Sequence, residues 1–411
     1  MKFDVNYSKL KNGVRVLTVP MMGVESVTAM ILVKTGSRNE TLKQAGISHV
    51  LEHMVFKGTK KYPSPMHIAE AVDSIGGEQN AFTSKEYTGY YITSAAMHLP
   101  LILDIQAEML TKPLLPQTDL EREREVIVEE INMYEDQPMA MAGELFENLM
   151  YDGSSMGRLI IGTKETVRGT NSEDLRQYMG EWYYGGNILV VIAGKVGQVF
   201  NILEEKLGEI KSAQEIAGYT TVATYGTPKA VHQKKKTEQA HFVMGVPGLS
   251  MTDPRRYALS IAQVVLGGSM SSRLFNEIRE KRGLAYYVKA DLDTAYDCGY
   301  LAVRSGVKLA KLGEAMEVVR SEMLKLGETF TVAELKRGQD YLLGKMPLSL
   351  EDSMGVAQFF GTRTLILDEI RQPTEVERAI KAVRIEEVRE VLKELVKEEL
   401  IRSVVVGPAA Q

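Results

Sequence analysis

Two histidines and one glutamate in the segment His49-Val50-Leu51-Glu52-His53 have the types and spacing of a metal-dependent hydrolase site. On a helix, residues four apart lie on nearly the same face, so both imidazoles can reach one cation. Neutral imidazole is a common zinc ligand, and Glu52 is placed to accept a proton from the attacking water. The order H-x-x-E-H is the inverted form of the H-E-x-x-H zinc signature. Because the motif is short, two polar histidines on an amphipathic helix remain the alternative.

A third ligand is expected on the glutamate-rich segment 118–131, whose pattern predicts a helix. Such a run is usually a solvated face with local ion pairs, but helical phase separates its members. Glu123, Ile127 and Glu130 share a face that includes apolar residues, whereas the face of Glu129 is charged. A partly buried carboxylate needs a partner, and a metal ion is one. Glu130 is therefore the candidate ligand, and Glu123 could support a ligand or the water through a hydrogen bond.

Composition is that of an ordinary globular protein, with 44% hydrophobic and 25% charged residues. A net charge of −5 argues against a nucleic-acid partner and against attraction to anionic membranes. The single cysteine excludes an intramolecular disulfide. The first residues resemble neither a signal peptide nor a transit peptide, and no apolar run reaches the roughly 18 residues of a membrane span. The expectation is a cytoplasmic protein without a membrane segment.

The order of predicted elements indicates two domains built on one plan. In the first half, strands are predicted at 14–19, 26–34, 80–84, 88–94 and 188–193. Helices are predicted at 45–56, 65–75, 100–110 and 119–134, and a further helix follows the last strand and ends at about residue 210. In the second half, strands are predicted at 240–246, 284–292, 299–305 and 401–406, with helices at 256–266 and 272–282 and a further run after 305. We therefore predict an α+β fold of two homologous domains, each a mainly antiparallel β-sheet packed with α-helices.

The domain limits follow from composition. Residues 211–230 lose helical periodicity and gather Gly, Thr and Pro, which is typical of a linker. We therefore expect an N-terminal zinc-binding domain at 1–210, the linker at 211–230, and a structurally related domain at 231–411.

At this point the chain resembles the pitrilysin, or inverzincin, metallopeptidases over essentially its whole length. Residues 46–59 are similar to the zinc helix of that family, and residues 122–130 are similar to its second zinc helix. The family completes its site with a glutamate 76 or 77 residues after the second histidine, and Glu130 follows His53 by 77. The resemblance also implies a supporting role for Glu123, which stands seven residues before that ligand.

Two further motifs gain a role from the resemblance. Residues 76–83 are similar to the substrate strand of the family, which implies that Asn80, Ala81 and Phe82 contact a peptide that adds to this strand. An ordinary turn and strand would explain the same residues. Residues 271–286 are similar to a segment whose arginine and tyrosine bind the substrate carbonyl, here Arg279 and Tyr286.

Alternatives to this second assignment come from the residues themselves. A capped helix end would also explain the basic segment before Gly283, and Tyr287 is a neighbouring candidate for the role of Tyr286. His241, on the first predicted strand of the second half, is the one other histidine that could border a substrate channel.

The function implied is a zinc endopeptidase that hydrolyses peptides or unfolded segments, with one Zn²⁺ per subunit bound by His49, His53 and Glu130. Glu52 would act as general base, and Arg279 and Tyr286 would stabilise the oxyanion. Single-chain relatives have four such domains, so this two-domain chain is expected to form a homodimer whose active sites are completed in trans. Heterodimerisation with a degenerate chain is an open alternative, as is a non-proteolytic structural or peptide-binding role.

Overall fold

The computed structural model describes residues 1–213, 215–219 and 229–408. The described residues fall into two compact units. Unit 1 lies within Met1–Ile131, Arg158–Thr220 and Pro347–Pro373, and unit 2 lies within Asn132–Gly157, Thr221–Met346 and Thr374–Gln411. Residues 214 and 220–228 of the predicted linker lie outside the described residues.

The described part of unit 1 contains a six-stranded sheet. Its strands are β1 (Asn6–Lys9), β2 (Arg15–Pro20), β3 (Ser26–Val33), β4 (Glu78–Thr83), β5 (Thr88–Ala95) and β6 (Ile188–Gly194). The strand order is β1-β2-β6-β3-β5-β4, and every pairing is antiparallel except that of β2 with β6. The central strand β6 is buried along its whole length, as its run of Ile, Leu, Val and Ala predicts.

Unit 1 also contains α-helices. They are α1 (Ile47–Met54), α2 (Pro65–Asp73), α3 (Leu99–Thr111), most of α4 (Gln117–Asp136), α6 (Lys164–Gly169), α7 (Ser172–Trp182), α8 (Phe200–Leu207) and α12 (Ser353–Leu367). The last of these, α12, comes from the second half of the sequence and packs on β3 and β6. Its packing is tight, because a Cβ atom at Gly361 would lie 2.8 Å from a methyl carbon of Leu32.

The described part of unit 2 contains a five-stranded sheet. Its strands are β7 (Ala230–Lys234), β8 (Gln239–Pro247), β9 (Ala285–Thr294), β10 (Gly299–Lys308) and β11 (Arg402–Gly407), in the order β7-β11-β8-β10-β9. Its helices are α5 (Pro138–Met150), α9 (Arg256–Gln263), α10 (Leu312–Thr329), α11 (Val332–Leu348), α13 (Pro373–Ala382) and α14 (Ile385–Leu395). Two π-helical segments, Val264–Gly268 and Phe275–Glu280, follow α9.

In unit 2 it is α5, from the first half of the sequence, that packs on β8 and β11. The Phe146 ring lies edge-on to Tyr300 with 5.4 Å between ring centroids, in a buried cluster that includes Val243 and Val404. Each unit therefore takes one helix from the half of the sequence that supplies the other sheet, so the contact-defined units follow limits other than 1–210 and 231–411. A contact between distant segments leaves no mark in local composition.

The predicted α+β fold of two similar sheet-and-helix domains is confirmed. Strands β2, β6, β3, β5 and β4 correspond in order and pairing to β7, β11, β8, β10 and β9, and β1 is additional. The predicted helix at 272–282 differs, because its structure there is the π-helical segment Phe275–Glu280. None of the helices within the described residues is long and apolar enough to cross a membrane.

Candidate metal centre and active site

Helix α1 presents the two histidines because its opposite face is apolar. Ile47, Val50, Leu51 and Met54, at helical spacing, are all at most 1% exposed. This burial fixes the rotation of the helix, so that His49, Glu52 and His53 lie together on its partly exposed side. The predicted zinc-motif helix is confirmed, and it is shorter than the expected 45–56.

The ligand atoms of His49, His53 and Glu130 lie within 4.8 Å of one another. The two Nε2 atoms are 3.3 Å apart, and each is 3.8 Å from Oε2 of Glu130. Two ligands of a tetrahedral zinc ion, each about 2.0–2.1 Å from the metal, stand roughly 3.3 Å apart. The donor set of two imidazoles and one carboxylate also matches catalytic zinc sites that keep one position open. These residues therefore fit a zinc ion.

The protonation of His49 suits such a ligand. Burial, followed by the neighbouring His53, lowers the pKa of His49 to about 3, so its imidazole is neutral near neutral pH. A neutral ring has a free nitrogen lone pair, which a metal requires.

Helix α4 supplies both carboxylates, Glu123 and Glu130, two turns apart on the same face. Glu123 is 9% exposed, and its Oε1 accepts a hydrogen bond of 3.0 Å from Nδ1 of His53. Its Oε2 lies 2.5 Å from Nζ of Lys57. Burial opposes ionisation, but the hydrogen bonds from His53 and Lys57 hold the pKa of Glu123 below its usual range. A charged Glu123 fixes the proton of His53 on Nδ1 and leaves Nε2 available to a metal.

Glu52 is held beside the metal-ligand cluster by a residue of strand β4, the strand predicted to bind the substrate. The hydroxyl of Thr83, at the end of β4, donates a 2.5 Å hydrogen bond to Oε2 of Glu52. Burial raises the pKa of Glu52, and the hydrogen bond from Thr83 opposes this shift in part. A carboxylate with a raised pKa is a stronger proton acceptor than an ordinary one, which suits a general base.

Strand β4 is the last strand of its sheet, and among the described residues only β5 pairs with it. Asn80 and Ala81 lie in the middle of this edge strand, and Oδ1 of Asn80 accepts the amide hydrogen of Ala81 at 2.8 Å. Phe82 packs over Gly89, where a Cβ atom would lie 2.3 Å from its ring. Phe82 therefore has a packing role, whatever else it contacts.

Arg279 and Tyr286 lie side by side in unit 2. The Arg279 guanidinium carbon is 5.3 Å from the centroid of the Tyr286 ring, and Tyr286 is 81% exposed. The neighbouring Tyr287 is instead partly buried and hydrogen-bonded to Nδ1 of His241 at 3.0 Å. Of the two tyrosines, Tyr286 is thus the one available to a ligand.

Sequence reasoning did not find Lys57 or Thr83, which contact Glu123 and Glu52. Lys57 follows His53 by one helical turn, so helical spacing marks it as a neighbour of the site. Thr83 belongs to segment 76–83, which is predicted to bind the substrate, but no local pattern indicates that its hydroxyl faces α1.

Comparison with known proteins places these residues in a family. Residues 15–164 match the model for insulinase (peptidase family M16), and residues 170–342 match the model for the peptidase M16 inactive domain. His49, Glu52, His53, Glu123 and Glu130 all fall in the first match.

Relatives match along nearly the full chain. A protein of Streptomyces coelicolor named uncharacterized zinc protease is 36% identical over 95% of this chain and 87% of its own. The uncharacterized zinc protease YmxG of Bacillus subtilis is 36% identical over 95% of both chains.

Solved structures share the fold. A peptidase M16 inactive domain from Pseudomonas fluorescens has a TM-score of 0.92 at 17% identity, covering 99% of this chain and 98% of its own. A protease from Helicobacter pylori has a TM-score of 0.89 at 24% identity, covering 99% and 100%. With 36% identity to relatives across 95% of its length, the chain belongs to peptidase family M16, the insulinase or pitrilysin family.

Proposed function

We propose that this protein is a zinc-dependent endopeptidase that hydrolyses peptides or unfolded polypeptide segments, with one zinc ion per subunit held by His49, His53 and Glu130. The observation that carries the proposal is the convergence of these three ligand atoms within 4.8 Å, beside a partly buried Glu52. The names of the relatives, zinc proteases of family M16, support the same chemistry.

Each residue of the cluster has a distinct part in the proposed reaction. When bound, zinc supplies Lewis acidity toward water and the peptide carbonyl. Glu52 takes a proton from the attacking water and returns it to the leaving amine. Thr83 holds one carboxylate oxygen of Glu52, so the other oxygen is directed to the water. Glu123 keeps His53 in the tautomer that has a free Nε2.

The substrate in this proposal binds as an added strand. Edge strand β4 offers main-chain groups to an extended peptide, with Asn80, Ala81 and Phe82 along it. Main-chain hydrogen bonds read no side-chain identity, so unfolded segments are a suitable substrate class. A folded protein would have to expose an extended stretch first.

Arg279 and Tyr286 donate hydrogen bonds to the substrate carbonyl oxygen as its negative charge develops. We further propose that they serve the zinc site of a second, identical subunit, in a dimer that encloses the substrate. This part rests on the four-domain relatives of the family. A cytoplasmic location remains a prediction from the sequence.

The central test combines metal removal with two neighbouring substitutions. Chelated protein should not cleave an unstructured fluorogenic peptide, and added zinc should restore cleavage. Glu130→Gln should lose zinc and activity, whereas Glu129→Gln, at the exposed neighbouring position on α4, should keep both. Zinc-loaded wild type that binds the peptide without cutting it would refute the protease and favour a peptide-binding subunit.

Mixing two inactive variants tests sites completed in trans. Glu52→Gln removes the base, and Arg279→Ala removes the carbonyl donor. After subunit exchange, roughly one quarter of the wild-type activity should return, because half of the dimers are mixed and each has one intact site. A mixture that exchanges subunits but stays inactive would exclude the arrangement.

A further inference from the structure

Helix α1 is too short to hold two metal ligands in place by itself. Its eight residues, Ile47–Met54, form about two turns, and an isolated helix of this length is not stable in water. The direction of the His49 and His53 side chains must therefore be set by contacts from outside the helix. The C-terminal part of α1 has Glu123 and Lys57 for this purpose, and the N-terminal part has a different anchor.

That anchor is Glu40, a glutamate 4% exposed that neither the sequence motifs nor the proposed reaction uses. Its Oε2 accepts the amide hydrogen of Gly46 at 2.7 Å, and its Oε1 accepts that of Ser48 at 2.9 Å. Amides in the first turn of a helix have no partner within the helix, and Gly46 has no side chain that could cap them. One carboxylate from outside the helix thus bonds two of these donors.

The backbone around this contact leaves little freedom. Gly46 has φ of 91°, and a Cβ atom there would lie 2.6 Å from the carbonyl oxygen of Ile161. Gly162 lies opposite, where a Cβ atom would be 2.4 Å from the carbonyl oxygen of Ala45. Both positions therefore require glycine. The Arg158 side chain donates a hydrogen bond to the carbonyl oxygen of Glu40. Arg158 belongs to the same segment as Ile161 and Gly162, so this segment contacts both Glu40 and Gly46.

A hydroxyl chain fixes the same turn from the other side. Oγ of Ser48 and the hydroxyl of Tyr178 are 2.8 Å apart, and that hydroxyl is 2.7 Å from Oγ1 of Thr35. All three groups are buried. The residue immediately before His49 is thus bonded through both its amide and its side chain.

The two amides require a side chain with two acceptor oxygens at position 40. Burial raises the pKa of Glu40, although hydrogen bonds from Ser48 and Gly46 oppose the shift, so its ionised form is disfavoured in the folded protein. A neutral side chain would avoid this cost, but an amide offers a donor where the carboxylate offers its second acceptor. The carboxylate is the group that can bond both amides at once.

We propose that Glu40 is a positioning residue of the metal site, which fixes the first turn of α1 and thereby the approach of His49 and His53 to one point. This inference rests on the proposed metal role of the two histidines. Its consequence is that loss of Glu40 weakens metal binding by disordering the ligand helix, without removing a ligand.

The test measures zinc affinity, by chelator competition, together with hydrogen exchange of the α1 amides in the metal-free protein. Glu40→Gln should weaken zinc binding roughly tenfold and speed exchange in α1, because one first-turn donor loses its acceptor. The matched control is Asp104→Asn, a buried carboxylate of unit 1 bonded to Lys61, Lys206 and Tyr62. It should lower the unfolding midpoint and leave zinc affinity unchanged.

A second variant keeps the test decisive if Glu40→Gln does not fold. Tyr178→Phe preserves the buried ring and removes the hydroxyl that bonds Ser48, and it should weaken zinc binding roughly threefold. If the folded Glu40→Gln variant binds zinc as wild type does, or if Tyr178→Phe does so where Glu40→Gln does not fold, Glu40 is only a structural residue and the proposal is wrong. If wild type itself binds no zinc, the proposed function fails with it, whereas tight zinc binding without cleavage would leave the role of Glu40 intact.

Discussion

The two units have the same strand arrangement but differ in the helix beside the edge strand. In unit 1 the chain runs from β3 through α1 and α2 to β4, and in unit 2 it runs from β8 through α9 and two π-helical segments to β9. Helix α1 has two histidines and a glutamate on its partly exposed side. Helix α9, of sequence RYALSIAQ, has no residue that commonly binds zinc.

The two units also differ in how the preceding segment packs against the edge strand, β4 in unit 1 and β9 in unit 2. In unit 1, Glu52 reaches across to Thr83 at the end of β4. In unit 2, a Cβ atom at Gly267 would lie 2.7 Å from the amide nitrogen of Ala290 in β9. The backbone after α9 therefore lies directly against its edge strand at this point. One fold thus supports a metal-type cluster in one copy and the Arg279–Tyr286 pair, with an exposed tyrosine, in the other, because function depends on a few side chains and not on the sheet.

The sharpest difference between the units is the general base, which only unit 1 contains in our proposal. Glu52→Gln should lower kcat by about 10²–10⁴-fold, because the amide cannot accept the proton of the attacking water. Zinc content should stay at the wild-type level, since Glu52 is not among the three convergent ligand atoms. Steady-state peptide hydrolysis and metal analysis of the same preparation check both statements. Near-normal turnover would remove Glu52 from the mechanism.

Because α12 packs in unit 1 and α5 in unit 2, we expect the stability of each unit to depend on a phenylalanine from the half of the sequence that supplies the other sheet. Phe360 of α12 and Phe146 of α5 are each 1% exposed. Replacing either with alanine should lower the free energy of unfolding by about 3–5 kcal/mol. Phe360→Ala should speed hydrogen exchange first in β3 and β6, and Phe146→Ala first in β8 and β11. The opposite pattern would show that the helices do not stabilise the sheets on which they pack.

In our proposal, Arg279 and Tyr286 of unit 2 should affect turnover and not metal binding. Tyr286→Phe would remove the proposed donor to the substrate carbonyl and should lower kcat by about 10²-fold with little change in KM. Tyr287→Phe is the control, since the hydroxyl of Tyr287 is hydrogen-bonded to the partly buried His241. Equal losses in both variants would mean that the hydroxyl of Tyr286 has no special role and that unit 2 only supports the fold.

A smaller effect concerns an ion pair in unit 2, between Glu334 at the start of α11 and Arg273. Burial opposes ionisation, but the hydrogen bonds from Arg273 and the Thr331 amide hold the pKa of Glu334 below its usual range. A depressed pKa contributes stability above the ordinary glutamate value of about 4.3, and that stability is lost as pH falls toward the folded-state pKa.

Glu334→Gln should therefore cost about 1–2 kcal/mol near neutral pH. The difference from wild type should shrink steadily in denaturant titrations below about pH 4.3. A difference that is constant over this range would assign the effect to lost packing instead of to charge.

Much of the candidate site was accessible from the sequence because helices have a local period. The spacing of His49 and His53 and the phase of Glu123, Glu130 and the exposed Glu129 depend only on 3.6 residues per turn. The strands were accessible for the same reason, since runs such as 188–193 read as buried β-structure. Helix ends were less accurate: α1 ends at Met54 because the chain there tightens into a 3₁₀ turn, Val55–Lys57.

Tertiary structure alone decided the contacts between segments distant in sequence. It placed β4 at the edge of its sheet and brought Thr83 to Glu52. It also packed α5, from the first half of the sequence, into unit 2, and α12, from the second half, into unit 1. It also buried Glu40 under the first turn of α1, six and eight residues from the amides that it bonds. The sequence by itself determined which side chains can bind a metal and on which helical face they lie, because that information is local. Their convergence on one point, and the anchors that hold them there, depend on packing between elements that no local pattern encodes.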